Sequence, residues 1–165
     1  MKTYRTALAS IFMLMTIAAA GAQTPPPPPS TPYGAPLNFE AAKKIMAVAE
    51  ADAVKNNWAM AIAILDSTGH IVMLHKLDGT QYGSIPVAED KAKSALDFRR
   101  PTKVFEDLVA QGGIGLRTLA LRGASPLEGG VPIVTDGKIV GAIGVSGGTS
   151  VQDGQVAKAG AEAAK

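Results

Sequence analysis

The sequence predicts an α+β domain in which an antiparallel sheet of two similar hairpins packs with about four helices. Helices are indicated by apolar residues at three- and four-residue steps, and strands by apolar runs bounded by turn residues. The segments IAILDSTGHIV and PIVTDGKIV share one order: apolar run, Asp, Gly, apolar run. A chain of 165 residues suits a single compact domain of this kind.

The beginning of the chain differs from the rest. Residues 1–22 combine a basic start, an apolar run and small residues at 20–22, which predicts a signal peptide cleaved before Gln23, with an uncleaved anchor as the alternative. Residues 23–36 hold seven of the eleven prolines and predict an extended Pro-rich linker. Such a run can also bind an SH3-type domain, but a spacer suits an exported protein better.

The folded domain is predicted over residues 37–165. Asn38 is a good N-cap for a first helix that continues to about Asn56. The apolar run at 59–65 and its return at 70–76 are joined by turn residues and predict the first hairpin. Because strands that are apolar on both faces leave area for other subunits to cover, we expect a homo-oligomer.

A second helix is predicted from Ser84, its cap, to Phe98. Ala88, Ala92 and Ala95 give it a face of small residues that permits close packing. The remaining predicted elements are a helix over 102–111 ended by Gly112-Gly113, strands over 131–135 and 138–146 around an Asp-Gly turn, and a helix over 150–164.

Composition excludes several classes of function. The chain has no Cys, so disulfides, Cys-based zinc sites, iron–sulfur clusters and thiol nucleophiles are ruled out. Of its 16 Lys and Arg residues, Lys2 and Arg5 leave with the signal peptide, and 14 then balance 14 acidic residues. A neutral chain lacks the basic footprint of a nucleic-acid-binding protein. Export without cysteine fits a bacterial periplasmic or secreted protein with no stable membrane anchor after cleavage.

His70 and His75 are the only imidazoles, and hence the candidate metal ligands. His70 follows a turn, where a histidine is either a solvated turn residue or a functional one. His75 is predicted to share a strand face with Ile71 and Met73. An imidazole on an apolar face is either a hydrogen-bonded core histidine or an axial haem ligand.

Arg99 and Arg100 lie where one predicted helix ends and the next begins, followed by Thr102. They either complement the carbonyl groups at the end of the preceding helix or clamp a carboxylate or propionate, with Thr102 near the ligand. The two alternatives stay open at the sequence level.

Glu128, Gly129 and Gly130 precede a predicted strand. They either bring backbone amides close to a ligand or form a plain turn. No established catalytic or nucleotide-binding motif is present in the chain.

Five segments carry a resemblance to a known family: LNFEAAKKIMAVAEADAVKNNW, AIAILDSTGHIVMLHKLDG, AEDKAKSALDFRRPTKVFEDLV, PLEGGVPIV and GKIVGAIGVSGGTSVQD. Together they closely resemble the GlcG/HbpS-like haem-binding family, which also includes the C-terminal domain of some cobalamin adenosyltransferases. The resemblance covers nearly all of residues 37–165. The residues that match the shared pattern are Asp78-Gly79, Arg100-Pro101-Thr102 and Gly129-Gly130.

The resemblance implies a compact α+β subunit that assembles into symmetric homo-oligomers, with haem bound by some members near subunit contacts. Exported members are associated with haem capture, redox sensing and haem breakdown, and cytoplasmic members with glycolate or propanediol metabolism. Haem ligation varies between members, so the resemblance assigns no axial ligand here.

Two hypotheses follow. The first is an exported haem- or tetrapyrrole-binding protein that captures, stores or senses haem. The second is an enzyme that degrades haem or acts on a small hydroxy acid, with acid–base groups from Asp66, Asp78, Glu128 or a His. Binding is favoured because no nucleophile–base or metal-ligand spacing is visible; a non-catalytic scaffold is a weaker third alternative.

Overall fold

The computed structural model describes residues 30–165, so the predicted signal peptide and residues 23–29 of the predicted linker lie outside the described residues. The described chain forms α1 (Phe39–Lys55), β1 (Ala61–Asp66), β2 (Ile71–Lys76), α2 (Ser84–Asp97), α3 (Lys103–Ala110), a 3₁₀ helix (Gly113–Ala120), β3 (Gly130–Thr135), β4 (Lys138–Ser146) and α4 (Ser150–Glu162). None of these helices is long and apolar enough to cross a membrane.

The hairpins β1–β2 and β3–β4 form one antiparallel sheet in the order β2-β1-β4-β3. β1 and β4 join them at the centre, with Ala61 opposite Ser146 and Asp66 opposite Gly141. The predicted α+β class and the two hairpins in one sheet are confirmed. The predicted N-cap of α1 is also correct, because the Asn38 side chain accepts a hydrogen bond from the backbone N–H of Ala41.

Different helices cover the two faces of the sheet. On one face Ile62 and Ile64 pack in a cluster with residues of α1 and α4. On the other face Ala61 and Ala63 pack against the small residues of α2. α2 lies so close that a Cβ on Gly144 would come within 2.0 Å of the carbonyl oxygen of Ala88. Helices of the same subunit therefore cover the apolar central strands. The sequence analysis expected other subunits to cover these strands, and that argument for an oligomer does not hold.

The start of α2 differs from the prediction. Gly83, not Ser84, is the N-cap, and its φ of −63° and ψ of −19° are already helical. Glycine has no side chain that could accept a hydrogen bond, so no side chain caps this helix. Ser84 is instead buried, and its Oγ has no hydrogen-bond partner among the described residues.

The 3₁₀ helix has no counterpart among the predicted elements. Gly112 and Gly113 end α3 as predicted, with φ values of 68° and 52°. The chain then folds back so closely that a Cβ on Gly115 would lie 1.9 Å from the carbonyl oxygen of Leu108. The apolar residues of the 3₁₀ helix recur at steps of two and three, which is neither the α-helical nor the strand period.

The end of the predicted linker lies against the domain and forms what we call the N-terminal strap, residues 32–37. Ile139 of β4 donates its N–H to the carbonyl oxygen of Pro32 (2.8 Å) and accepts from the N–H of Gly34 (2.8 Å). The hydroxyl of Tyr33 donates to the carbonyl oxygen of Leu96 at 2.8 Å. The strap thus pairs with the part of β4 that extends beyond β1.

Candidate functional site

His75 lies on β2, which is an edge strand of the sheet. It is opposite Ile62, so its side chain is on the face covered by α1. There its Nδ1 lies 2.5 Å from Oε1 of Glu50. The two side chains are 43% and 31% exposed, so the pair lies at the margin between core and solvent.

The contact with Glu50 determines which nitrogen of His75 is free. A carboxylate only accepts hydrogen bonds, so Nδ1 carries the proton and donates it to Oε1. In the neutral ring Nε2 is then the nitrogen with the lone pair, and no described residue hydrogen-bonds to it. Metal-binding histidines in proteins usually have this arrangement, with one nitrogen on a carboxylate and the other on the metal.

The surroundings of His75 differ in one respect from the prediction. A register shift between Ile64 and Leu65 places Met73 opposite Ile64 but Ile71 opposite Leu65. Leu65 belongs to the cluster under α2, so His75 shares its face with Met73 but not with Ile71. The cause is a bulge, which reverses the alternation of side chains beyond it.

A cleft of ≈ 420 Å³ lies where α1 and β2 end, and neither His75 nor Glu50 is among its lining residues. Glu50 is one helical turn before Val54, and His75 is two residues before Leu77, and both Val54 and Leu77 line the cleft. The other lining residues are Asn57, Trp58, Ala59 and Asp78. A cleft of this size that is partly apolar is typical of small-molecule sites.

His70 is in a different environment. Its Nδ1 lies 2.7 Å from Oγ1 of Thr68, and that hydroxyl donates to Oδ1 of Asp66 at 2.6 Å. Burial raises the pKa of Asp66, but the hydrogen bonds from Thr68 and His70 outweigh it and hold this pKa below its usual value. His70 and His75 are five residues apart on an extended strand, or roughly 16 Å, so one iron cannot bind both in the same subunit.

Arg99 and Arg100 follow α2, on the face of the sheet opposite to His75. The Arg99 guanidinium lies 5.5 Å from the centre of the Tyr33 ring. Arg100 donates from Nε to the carbonyl oxygen of Phe98 at 3.1 Å, near the end of α2. The structure does not bring either guanidinium to the cleft beside His75.

Thr102 and Gly130 come together, as the start of β3 meets the start of α3. Oγ1 of Thr102, which has no solvent exposure, accepts the N–H of Gly130 at 2.9 Å. The N–H of Thr102 donates to the carbonyl oxygen of Gly130 at 3.0 Å. A Cβ on Gly130 would lie 2.2 Å from the backbone oxygen of Lys91. These contacts give both residues a packing role.

Glu128 and Gly129 belong to the same buried region. Glu128 is 4% exposed and pairs with Nζ of Lys158 at 2.9 Å. Its N–H donates to Oε2 of Glu106 at 2.6 Å. Gly129 has a φ of 130°, and a Cβ there would lie 2.9 Å from Nζ of Lys91. Glycine is required at 129 both by the conformation and by the space.

At the centre of this region is an ion pair that the sequence analysis did not identify. Nζ of Lys91 lies 2.7 Å from Oδ2 of Asp153 and 3.1 Å from the carbonyl oxygen of Val145. Oδ1 of Asp153 accepts the N–H of Gly148 at 2.9 Å. Lys91 and Asp153 are 2% and 3% exposed. The sequence signal was a lysine within the small-residue stripe of α2, since a buried charge needs a partner.

Comparisons with known proteins identify the family of this chain. A model of the family described as "Haem degrading protein HbpS-like" matches residues 37–162. The chain belongs to the HbpS-like family. It is 42% identical to protein GlcG of Escherichia coli K12 over 110 residues, which is 67% of this chain and 81% of GlcG. This confirms the resemblance to the GlcG/HbpS-like family.

Solved structures have the same fold. A double mutant of HbpS from Streptomyces reticuli superposes on this HbpS-like chain with a TM-score of 0.70 and 28% identity, covering 91% of this chain and 97% of the other. PduOC in complex with haem superposes with a TM-score of 0.69, covering 78% and 94%. At 23% identity the likeness to PduOC shows the fold alone.

The predicted site residues of this HbpS-like chain thus lie in separate regions of the fold and do not form one site. Thr102, Glu128, Gly129 and Gly130 lie around the buried ion pair, and His70 lies in a turn. His75 lies two residues before Leu77 of the cleft, and its partner Glu50 was not considered in the sequence analysis. The described residues contain no group of three or more His, Cys, Asp or Glu side chains that could hold a metal ion by themselves.

We predict that replacing Lys91 by Met lowers the free energy of unfolding by about 3–5 kcal/mol, because Asp153 is then buried without its cation. The double replacement Lys91→Met with Asp153→Leu should recover most of this loss. Urea denaturation followed by circular dichroism gives the values. Lys93→Met, which breaks an exposed pair with Asp97, is the control and should cost less than about 1 kcal/mol. A Lys91→Met variant as stable as this control would contradict the prediction.

Proposed function

We propose that this protein is an exported haem-binding protein that captures, stores or senses haem, with His75 as the axial ligand. The observation that carries the proposal is the His75–Glu50 pair, which leaves Nε2 without a hydrogen-bond partner among the described residues, two positions before Leu77 of a partly apolar cleft. Bound haem supplies an iron that takes one imidazole nitrogen and a macrocycle that needs apolar contacts. The family description and the haem complex of PduOC support haem as the ligand.

The residues around the cleft fit these requirements. Val54, Trp58 and Leu77 offer apolar and aromatic surface to a macrocycle. The exposed side chain of Lys55, which directly follows Val54, can reach a propionate at the solvent edge. Arg99 and Arg100 can take the propionate role predicted for them only from a neighbouring subunit, because in their own subunit they follow the helix on the other face.

Haem degradation is a second candidate, favoured by the family description. Of the carboxylates considered for acid–base work, Asp66 is bound within its turn and Glu128 is buried against Lys158. Asp78 lines the cleft beside His75. A degrading activity would therefore draw its acid–base group from Asp78 or from a His. No observation on the described residues supports an enzyme that acts on a small hydroxy acid.

We predict that His75→Ala abolishes or shifts the Soret band that the mature protein gives with hemin, because the axial nitrogen is lost. His70→Ala is the matched control and should leave the band unchanged, since His70 lies in a polar turn away from the cleft. Titration with hemin followed by visible absorption measures both. If the parent protein gives no band, haem binding is rejected; if His75→Ala leaves the band intact, histidine ligation at this position is rejected.

We also propose that the protein is a homo-oligomer that assembles through a surface on and around the 3₁₀ helix. Large apolar side chains are exposed there, with Ile114 at 78% and Leu119 at 62%. We call this surface the 3₁₀ patch: Val104, Ile114, Leu116, Leu119, Leu121 and Leu127. Residues 108–127 contain no Asp or Glu, so burial of the patch desolvates no carboxylate from this stretch. We take this concentration of exposed apolar side chains as an interface, and a second copy of the chain is the partner we assign.

We predict that Ile114→Lys together with Leu119→Lys converts the oligomer to a monomer, because two charges would be buried in the contact. Light scattering after size exclusion measures the mass. Val151→Lys, at an apolar residue 69% exposed on α4, is the control and should leave the oligomer intact. If the parent protein is a monomer at micromolar concentration, the proposal that it forms a homo-oligomer is wrong.

Export to the periplasm or the medium is proposed from residues 1–22. We predict a mature chain that begins at Gln23, and intact-mass analysis of the protein from the periplasmic fraction measures this. A mass that retains residues 1–22 would show an anchor in place of a cleaved signal.

A further inference from the structure

A second cleft, of ≈ 510 Å³, lies between α2 and the segment of residues 122–127. We call it the α2 cleft. α2 lines it with Val87, Asp90 and Lys93, which lie on one side of the helix because they follow each other at steps of three. A cleft of this volume has room for a small organic molecule. None of the candidate site residues described above lines it, so it is separate from the site proposed for haem.

The wall of the α2 cleft formed by residues 122–127 is held in place by hydrogen bonds. The N–H of Ala124 donates to the carbonyl oxygen of Leu121 at 3.1 Å and closes a turn. The N–H of Ser125 donates to Oγ of Ser94 at 2.9 Å, and Ser94 has no solvent exposure. The segment is therefore attached to the buried side of α2, and its distance from that helix is set by the fold.

Three polar side chains in the lining have no partner within the protein. Asp90 and Arg122 pair with no oppositely charged side chain among the described residues, although both line the same cleft. The hydroxyl of Ser125 makes no hydrogen bond to a described residue. Lys93 differs, because its Nζ lies 3.2 Å from Oδ2 of Asp97. One carboxylate, one guanidinium and one hydroxyl are thus available to a ligand.

These groups define the chemistry of the ligand. The Arg122 guanidinium is suited to a carboxylate, and the Asp90 carboxylate to an ammonium group. A ligand with only one of these charges would leave the other side chain beside it without a partner, which is unfavourable when water is displaced. A zwitterion satisfies both. The rest of the lining offers apolar surface to a side chain: Val87, Ala124, Pro126 and Leu127.

We propose that the α2 cleft binds a free α-amino acid with an apolar side chain. Arg122 holds its carboxylate, with the Ser125 hydroxyl as a second donor, and Asp90 holds its ammonium group. The proposal goes beyond haem binding and does not depend on it.

The test uses L-leucine and two analogues that each lack one charge. 4-Methylpentanoate is leucine without the ammonium group, and 3-methylbutylamine is leucine without the carboxylate. Isothermal titration calorimetry of the mature protein gives the three affinities. Because each lost charge removes one charge-assisted contact, we expect leucine to bind at least about tenfold more tightly than either analogue. Leu127 also belongs to the 3₁₀ patch, so the protein is titrated in its own oligomeric state.

Two variants assign the contacts. Arg122→Gln should weaken the binding of leucine and of 4-methylpentanoate about tenfold, and leave that of 3-methylbutylamine unchanged. Asp90→Asn should weaken leucine and 3-methylbutylamine, and leave 4-methylpentanoate unchanged. Both side chains are exposed, so neither replacement should unfold the protein, and circular dichroism verifies this. The matched controls are Arg117→Gln and Asp136→Asn, at exposed residues outside the cleft, which should bind all three as the parent does.

Three results would each overturn the proposal. The first is that leucine does not bind to the parent protein. The second is that either analogue binds as tightly as leucine, which would make the site one for simple carboxylates or simple amines. The third is that leucine binds equally well to Arg122→Gln and Asp90→Asn, which would place it elsewhere on the protein. The titration with hemin is independent of all three.

Discussion

The buried ion pair between Lys91 and Asp153 is the contact on which the arrangement of the helices depends. Lys91 is on α2 and Asp153 on α4, and these helices cover opposite faces of the sheet. The pair joins them at the end of β4, where the carbonyl oxygen of Val145 and the N–H of Gly148 complete the hydrogen bonds. Removing two charges from water is costly, so the pair is tolerated only in a geometry that satisfies both ions. Gly129 leaves the space that this geometry needs.

The position of His75 follows from the same framework through two further contacts. α4 packs on α1, where a Cβ on Gly160 would lie 3.1 Å from Cβ of Ala49. Ala49 directly precedes Glu50, so the packing that fixes α1 also fixes the carboxylate above β2. The bulge in β1–β2 keeps His75 on the α1 side while it places Ile71 on the other. A candidate ligand and its carboxylate partner are thus held by a helix and a strand that are distant in sequence.

Much of the fold could be predicted from the sequence, because periodicity and turn chemistry are local properties. The apolar run of β1 and the small face of α2 indicated these elements correctly. The 3₁₀ helix was missed since its apolar residues follow no regular period, and Ser84 was misassigned because the backbone of Gly83 was not foreseeable. The importance of Lys91 depends on a partner 62 residues away, which no local pattern reveals.

The candidate site was less accessible to prediction for the same reason. His75 could be singled out as one of two imidazoles, but no motif in the sequence pointed to Glu50. Their contact joins residues 25 positions apart and depends on how α1 crosses the sheet. Thr102 and Gly130 were recognised as a pattern, and the structure gives that pattern a packing explanation: two hydrogen bonds and a close approach to Lys91.

The N-terminal strap also determines how the domain is presented to its surroundings. It pairs with Ile139, whereas the residue of β4 in line with His75 across the sheet is Val145. Six residues of strand, or roughly 20 Å, separate these positions. The polypeptide that precedes the strap therefore joins the domain at the turn end of the sheet, whereas Leu77 and Asp78 of the cleft follow β2 at the other end. A surface, a resin or a second protein attached through that leading segment would be joined at the end of the sheet away from the cleft.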